Sequence, residues 1–186
     1  MIVVLTGPPG TGKTTLAALA VDELDATILG WDWVMASLTW CEPVMEALTT
    51  LDQPTHRRVG WSVMENLARA QLRLSRNVVL DGVARADEVA SIRALGTETG
   101  APVRVVVTDC SDHALLRRRI EQRHRNIPGW HELEWSSVEA FVDRWEAPAD
   151  HDLRVDTADP DGATLAFAEA ITRWTHAPTR AAGART

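Results

Sequence analysis

The chain opens on an unbroken apolar run, Met1–Thr6, which stops at a glycine-rich stretch and gives way to a segment of helical composition, Thr14–Asp22. Short apolar runs recur at Ala26–Leu29, Asn77–Leu80, Val103–Thr108 and Leu153–Val155. The clearest is Val103–Thr108, a β-branched run bounded by Pro102 and Asp109, as expected of a strand buried on both faces. Between these runs the pattern turns helical. Residues 33–76 read as a long helical excursion, interrupted around Thr49–His56 and resumed through Trp61–Ser75. Ala86–Leu95 and Asp112–Arg125 read as helices, and Ser136 with Glu139 has capping-box spacing for another over Ser137–Trp145. Asp159 and Pro160 supply a cap and a first-turn proline for a last helix through Trp174.

Five such strands separated by helices of crossover length predict an α/β fold: a mostly parallel sheet with helices on both faces. No repeat or linker divides the 186 residues, so one domain is expected over 1–174, followed by a loose tail over 175–186. Ligands bind outside the carboxyl ends of such strands, which makes 33–76 a cap over one side of the crevice.

Composition alters this picture little. Hydrophobic residues at 45% and charged ones at 24% are ordinary for a soluble globular protein. The net charge of −7, from 19 Lys+Arg against 26 Asp+Glu, argues against a stable nucleic-acid partner while leaving room for a local basic patch. No segment approaches the ~18 consecutive apolar residues of a spanning helix. The start, MIVVLTGPPG, lacks the basic flank of a signal peptide and is read as a buried strand. Cys41 and Cys110 are far apart and form no metal-spaced cluster, which fits a reducing cytoplasm. The six scattered histidines have no zinc-ligand spacing. Eight tryptophans with no tyrosine are unusual, and several, Trp31, Trp33 and Trp40 among them, are placed to serve as core packing or as pocket walls.

The sharpest chemical signal is Gly7-Pro8-Pro9-Gly10-Thr11-Gly12-Lys13-Thr14, with Thr15 following: a complete G-x-x-x-x-G-K-[ST] pattern between a strand and a helix. Such a loop wraps backbone N–H groups around phosphate, and the helix start adds donors. Lys13 can then reach the β- and γ-phosphates of ATP, and the Thr14 hydroxyl can ligate Mg²⁺. Three further features favour transfer over hydrolysis. Asp32, just after the second strand, can accept a hydroxyl proton as phosphate arrives, its alternative role being a helix cap. Asp81, ending Val78-Val79-Leu80-Asp81-Gly82, can serve the magnesium shell or touch the acceptor. Either aspartate can be the base, with Asp32 preferred. The run Arg117–Arg123, with Arg125 following, suits a lid closing over phosphate, and 117–132 is the lid segment. Arg119 and Arg123 share a helix face and are preferred, ahead of Arg117, which is counted with the nucleotide-binding residues. A solvated basic face is the alternative reading of the run.

GPPGTGKTT, GWD after strand two, VVLDGV at strand three and RRRIEQRHR together resemble small AAA-type P-loop kinases, most of all the chloramphenicol phosphotransferase and zeta-toxin group. That resemblance spans roughly residues 1–174 and implies the strand order 2-3-1-4-5, Asp32 as acceptor base and the 117–125 run as lid. It also implies an adenine site near Asp156–Asp159 and the start of the lid helix. The acceptor region departs from the family: the Trp-rich 31–61 stretch and Ile127–Glu132 offer aromatic surfaces without a known acceptor fingerprint. Arg85 and Arg93 are open either to an anionic acceptor or to ordinary surface placement. The expected activity is therefore ATP- and Mg²⁺-dependent transfer to a hydroxyl of a small molecule, for example an antibiotic or nucleoside-like natural product. A nucleotide or polynucleotide kinase is the first alternative and a switch or assembly ATPase the second. Monomer and homodimer are both open.

Overall fold

The computed structural model describes residues 1–176, from β1 (Ile2–Thr6) to α8 (Pro160–His176). In order between them come α1 (Lys13–Leu24), β2 (Ala26–Gly30), α2 (Trp31–Leu38), α3 (Glu42–Thr49) and α4 (Gln53–Arg73). Then follow β3 (Asn77–Asp81), α5 (Ala86–Thr99), β4 (Val103–Asp109), α6 (His113–Gln122), α7 (Trp135–Val142) and β5 (Leu153–Asp156). The strands form one parallel sheet in the order β2-β3-β1-β4-β5.

β1 sits at the centre, and its residues Ile2–Leu5 are all fully buried because both faces of the sheet are covered. Ile2 and Val4 join Val78, Leu80 and Val105 against Trp61, Met64 and Ala68 of α4 and Val89, Ile92 and Leu95 of α5. Val3 and Leu5, one residue out of phase, join Val79, Val106 and Val155 against α1 and against Phe167 and Ile171 of α8. The two-residue period of a strand thus feeds two separate cores, which is why these strands read as continuous apolar runs.

The helical excursion differs from expectation in its breaks. It begins at Trp31, pauses over Thr39–Cys41 and again over Thr50–Asp52, and α4 takes in the second half of the expected interruption at Thr49–His56. Asp52 caps α4, its Oδ1 accepting the Thr55 N–H at 2.7 Å, and Pro54 lies in the first turn. The polar, proline-bearing stretch is a helix start, not a gap. α6 stops at Gln122 because Arg123 turns extended (φ −80°, ψ 130°), so the expected helix through Arg125 is three residues too long. α7 starts at Trp135, and the expected capping box at Ser136 and Glu139 does not form: Glu134 is the N-cap and no side chain caps it. Asp159 does cap α8, accepting the Gly162 N–H at 3.1 Å. Thr175 and His176 complete α8, and the rest of the expected tail lies outside the described residues.

Candidate active site

The P-loop leaves the centre of the sheet at Thr6, whose hydroxyl donates to Ala84 O at 2.8 Å and accepts the Ala84 N–H at 2.9 Å. This ties the end of β1 to the loop after β3. Gly7 is held at φ +150°, where any Cβ would collide with the Thr108 carbonyl on β4, so only glycine permits this approach. Thr11 is buried and donates to Pro8 O at 2.7 Å, while its hydroxyl lies 2.6 Å from that of Thr108. The loop therefore has two sides. Pro9, Gly10, Gly12, Lys13, Thr14 and Thr15 line a cleft of about 1200 Å³. Pro8 and Thr11, also among the expected nucleotide-binding residues, border a cavity of about 430 Å³ behind the loop, and Gly7 supports the loop through its carbonyl.

Lys13 arches back over the loop, its Nζ donating to Gly7 O at 2.9 Å and Pro8 O at 2.8 Å. Burial holds its pKa down to about 8, opposed by Asp81 and Asp32 and reinforced by Arg123 and Arg125. These four side chains come from β3, α2 and the chain after α6; of the expected catalytic residues, Asp32 and Arg123 share the cleft with Lys13 here, and Arg119 lines it on the β5 side. Asp81 accepts a hydrogen bond from the Thr14 hydroxyl at 2.8 Å, and burial pushes its carboxyl above the usual range against the pull of Lys13. A hydroxyl and a carboxylate sharing one point are the hard oxygen donors that Mg²⁺ takes when phosphates complete its shell. That donor set fits the ion, although no cluster of three or more acidic, His or Cys ligands exists among the described residues.

Asp32 occupies the first turn of α2, and the Arg125 guanidinium donates to its Oδ2 at 2.5 Å. Arg125 is almost wholly buried and also bonds Glu132 and the His131 carbonyl. Those contacts stitch 123–134 into an irregular strap across the cleft, which begins where the helix stops, three residues short of its expected end. Arg123 also lines the cleft, and burial first, then Arg125, lowers its pKa from the usual arginine value. Its guanidinium makes no hydrogen bond among the described residues. Arg119 lies on the β5 side, donating to Thr157 O at 2.8 Å and Thr157 Oγ1 at 3.0 Å. Thr157 and Pro160 also line the cleft there, beside the turn where adenine was expected. Arg117 is not brought in: it pairs with Glu121 at 2.7 Å on an exposed face and lies outside the cleft lining.

On the β2 side the wall is aromatic. Trp31 meets Trp130 edge-on, with centroids 6.0 Å apart, and meets His56 at 5.9 Å. Its indole N–H donates to Arg57 O at 3.2 Å. Gly60 makes this possible, since a Cβ there would strike Trp31 and Met35. Sequence reasoning left Arg125 unranked and did not single out Arg57 or His56. Their partners lie 93 and 31 residues away for the two arginines, and no local spacing announces such pairs.

Solved structures of the same fold include a sugar kinase from Janibacter sp. HTCC2649, with TM-score 0.64 and 19% identity over 95% of each chain. They include APS kinase from Mycobacterium tuberculosis, solved with AMPPNP and APS, with TM-score 0.66 and 17% identity over 94% of this chain and 96% of that one. A gluconokinase from Sinorhizobium meliloti 1021 matches with TM-score 0.63 and 15% identity over 92% and 91%. At these identities the likeness establishes the fold shared with P-loop small-molecule kinases. A comparison with curated proteins gave no match. The sequence matches the model of the AAA domain family over residues 2–148, most of the chain, and the protein belongs to that family.

Proposed function

We propose that this protein transfers the γ-phosphoryl group of ATP to a hydroxyl group of a small molecule. The observation that carries the reading is that Lys13, Asp81, Asp32, Arg123 and Arg125 line one cleft, with Thr14 bonded to Asp81 and Arg125 to Asp32. In this reading the loop amides and Lys13 hold the β- and γ-phosphates. Magnesium held by Thr14 and Asp81 supplies neutralisation of phosphate charge. Asp32 accepts the hydroxyl proton as the acceptor oxygen approaches phosphorus. Arg123, half-buried and without a protein partner among the described residues, stabilises charge on the transferring group, and the strap excludes water. Arg119 serves the adenine side, and Arg117 has no contact with the reactants.

The motif arrangement resembles the chloramphenicol phosphotransferase and zeta-toxin group, and tryptophan walls suit an antibiotic or nucleoside-like acceptor. A nucleotide acceptor is the second reading. The cleft's charge favours it: Lys13, Arg57, Arg85, Arg119, Arg123 and Arg125 line it with Asp32 and Asp81, and the cations stay in excess even after Glu88 pairs with Arg57 and Glu132 with Arg125. A screen of hydroxyl compounds with ATP and Mg²⁺, read by mass spectrometry, tests the proposal. One added phosphoryl group, formed in step with ADP and lost in Asp32→Asn, supports it. ADP formed only together with free phosphate, whatever compound is present, overturns it in favour of an ATPase.

A further inference from the structure

The two arginines that follow β3 have different surroundings. Arg93 is consumed by structure: it donates to Asp150 at 2.9 and 3.1 Å, to Asp152 at 2.9 Å and to Val103 O at 2.7 Å, and it does not line the cleft. Arg85 lines the cleft, and its guanidinium has no hydrogen-bond or ion-pair partner among the described residues. Arg57 lines the same cleft, with its Nε donating to Glu88 at 2.8 Å. Glu88 is only 1% exposed, and its second oxygen accepts the backbone N–H of Arg85 at 2.8 Å.

One buried carboxylate thus fastens α4 to the start of α5 and holds the two arginine-bearing segments together. Two guanidiniums against one carboxylate leave a net positive charge at that wall. The next acid, Asp87, stands 4.0 Å from Arg57 with its side chain 84% exposed, where solvent screens it. Neither ATP nor the proposed base accounts for Arg85. A guanidinium is a planar fork matched to carboxylate and phosphate oxygens. The cleft, at about 1200 Å³, exceeds the ~300–1,000 Å³ of single-ligand pockets and has room for a second substrate beside the nucleotide.

We propose that the acceptor carries an oxyanion group, carboxylate or phosphate, seated on Arg85 with Arg57 beside it, and a planar ring against Trp31 and Trp130. This rests on the phosphotransferase reading and narrows its acceptor to anionic, ring-bearing hydroxyl compounds. The excess of positive charge on an otherwise acidic protein concentrates such molecules at the cleft.

The test uses three probes that share a ring and a primary hydroxyl: 4-(hydroxymethyl)benzoate, its methyl ester and 4-(hydroxymethyl)phenyl phosphate. Binding to the Mg-ADP complex is measured by calorimetry, and product formation with Mg-ATP by phosphorus NMR. The expected result is an anion, carboxylate or phosphate, binding ~10–100-fold more tightly than the ester, the range of a hydrogen bond to a charged group. That gap should collapse in Arg85→Met and persist in Arg73→Met, an exposed arginine on α4 outside the cleft. Whichever anion wins identifies the group. Equal binding of ester and anions, or no binding of any probe, overturns the proposal, as does a gap unchanged in Arg85→Met. Anion preference without any phosphorylated product counts against the phosphotransferase reading and leaves the anion site standing. The Arg85 side chain holds nothing in place among the described residues, so its replacement is read in a folded protein, checked by circular dichroism.

Discussion

Near the centre of the sheet, the phosphate loop is held largely by its own neighbours: Thr11 bonds Pro8, three residues away, and Lys13 bonds Gly7 and Pro8. Its distant anchors are Thr108, on the adjoining strand, and Asp81, which accepts from the Thr14 hydroxyl at the end of the loop. At the β2 side, the proposed acceptor end is assembled from segments far apart in sequence. Asp32 meets Arg125 across 93 residues, Trp40 reaches Pro128 across 88, and Arg57 meets Glu88 across 31. Local bonds preorganise the first region before any ligand arrives, while the second depends on an irregular strap staying in place. The difference separates a locally built phosphate grip from a wall built by long-range contacts.

The largest expected effect falls on the assembled region. Asp32→Asn should lower transfer ~10²–10⁴-fold, the range of a positioned general base, while nucleotide binding measured by calorimetry stays intact. Near-normal turnover there, with a severe loss in Asp81→Asn at unchanged Mg²⁺ affinity, would move the base to Asp81. On the preorganised side, Lys13→Ala should cost ~10²–10³-fold in kcat/KM, the worth of one charge-stabilising donor, without loss of fold. An active, folded variant would falsify the phosphate-site assignment.

A pH titration sharpens the contrast further. The Lys13 ammonium titrates at about 8 in the folded protein against 10.5 for an ordinary lysine. Between those values the folded state binds fewer protons than the unfolded, so the lysine makes stability rise with pH over that window. Nucleotide phosphate favours the charged form, so ATP affinity should fall as pH rises through about 8, by up to ~10-fold per pH unit. A flat affinity profile from pH 7 to 9.5 would contradict the burial of Lys13. The smallest effect belongs to the loop's anchor on β4. Thr108→Val removes the hydroxyl facing Thr11 and should cost about 1 kcal/mol of stability in urea unfolding, the worth of one buried hydrogen bond, while Thr11 keeps its bond to Pro8. A loss well below that would mean the loop holds itself without β4.

Much of the sheet and the whole P-loop were legible because their signals are short. A strand buried on both faces reads as an apolar run, and the loop motif lies in eight consecutive residues, Gly7–Thr14. Asp32 and Asp81 were legible as acids at strand ends, where such sheets place their ligands. The two-sidedness of the loop was not, because pattern alone does not tell Thr11, turned to Thr108, from Thr14, turned to Asp81. The end of α6 was misplaced because Gln122–Arg125 has helical composition, and the bonds that draw Arg125 across the cleft are made to Asp32, Glu132 and His131. The interruption at Thr49–His56 was drawn too long because its polar, proline-bearing half, with Pro54 in the first turn, opens α4.

The Arg125–Asp32 ion pair bears on fidelity toward water. A carboxylate poised beside a bound phosphoryl donor would activate water as readily as an alcohol, and ATP would drain away between turnovers. While Asp32 Oδ2 is occupied by Arg125, water cannot use that oxygen as its base. Under the proposed base role, Oδ1 is the oxygen left to accept a proton, and an alcohol seated between the strap and Trp31 would reach it by excluding water from that side, so that discrimination against water would rest on the fit of the acceptor and not on the affinity for ATP.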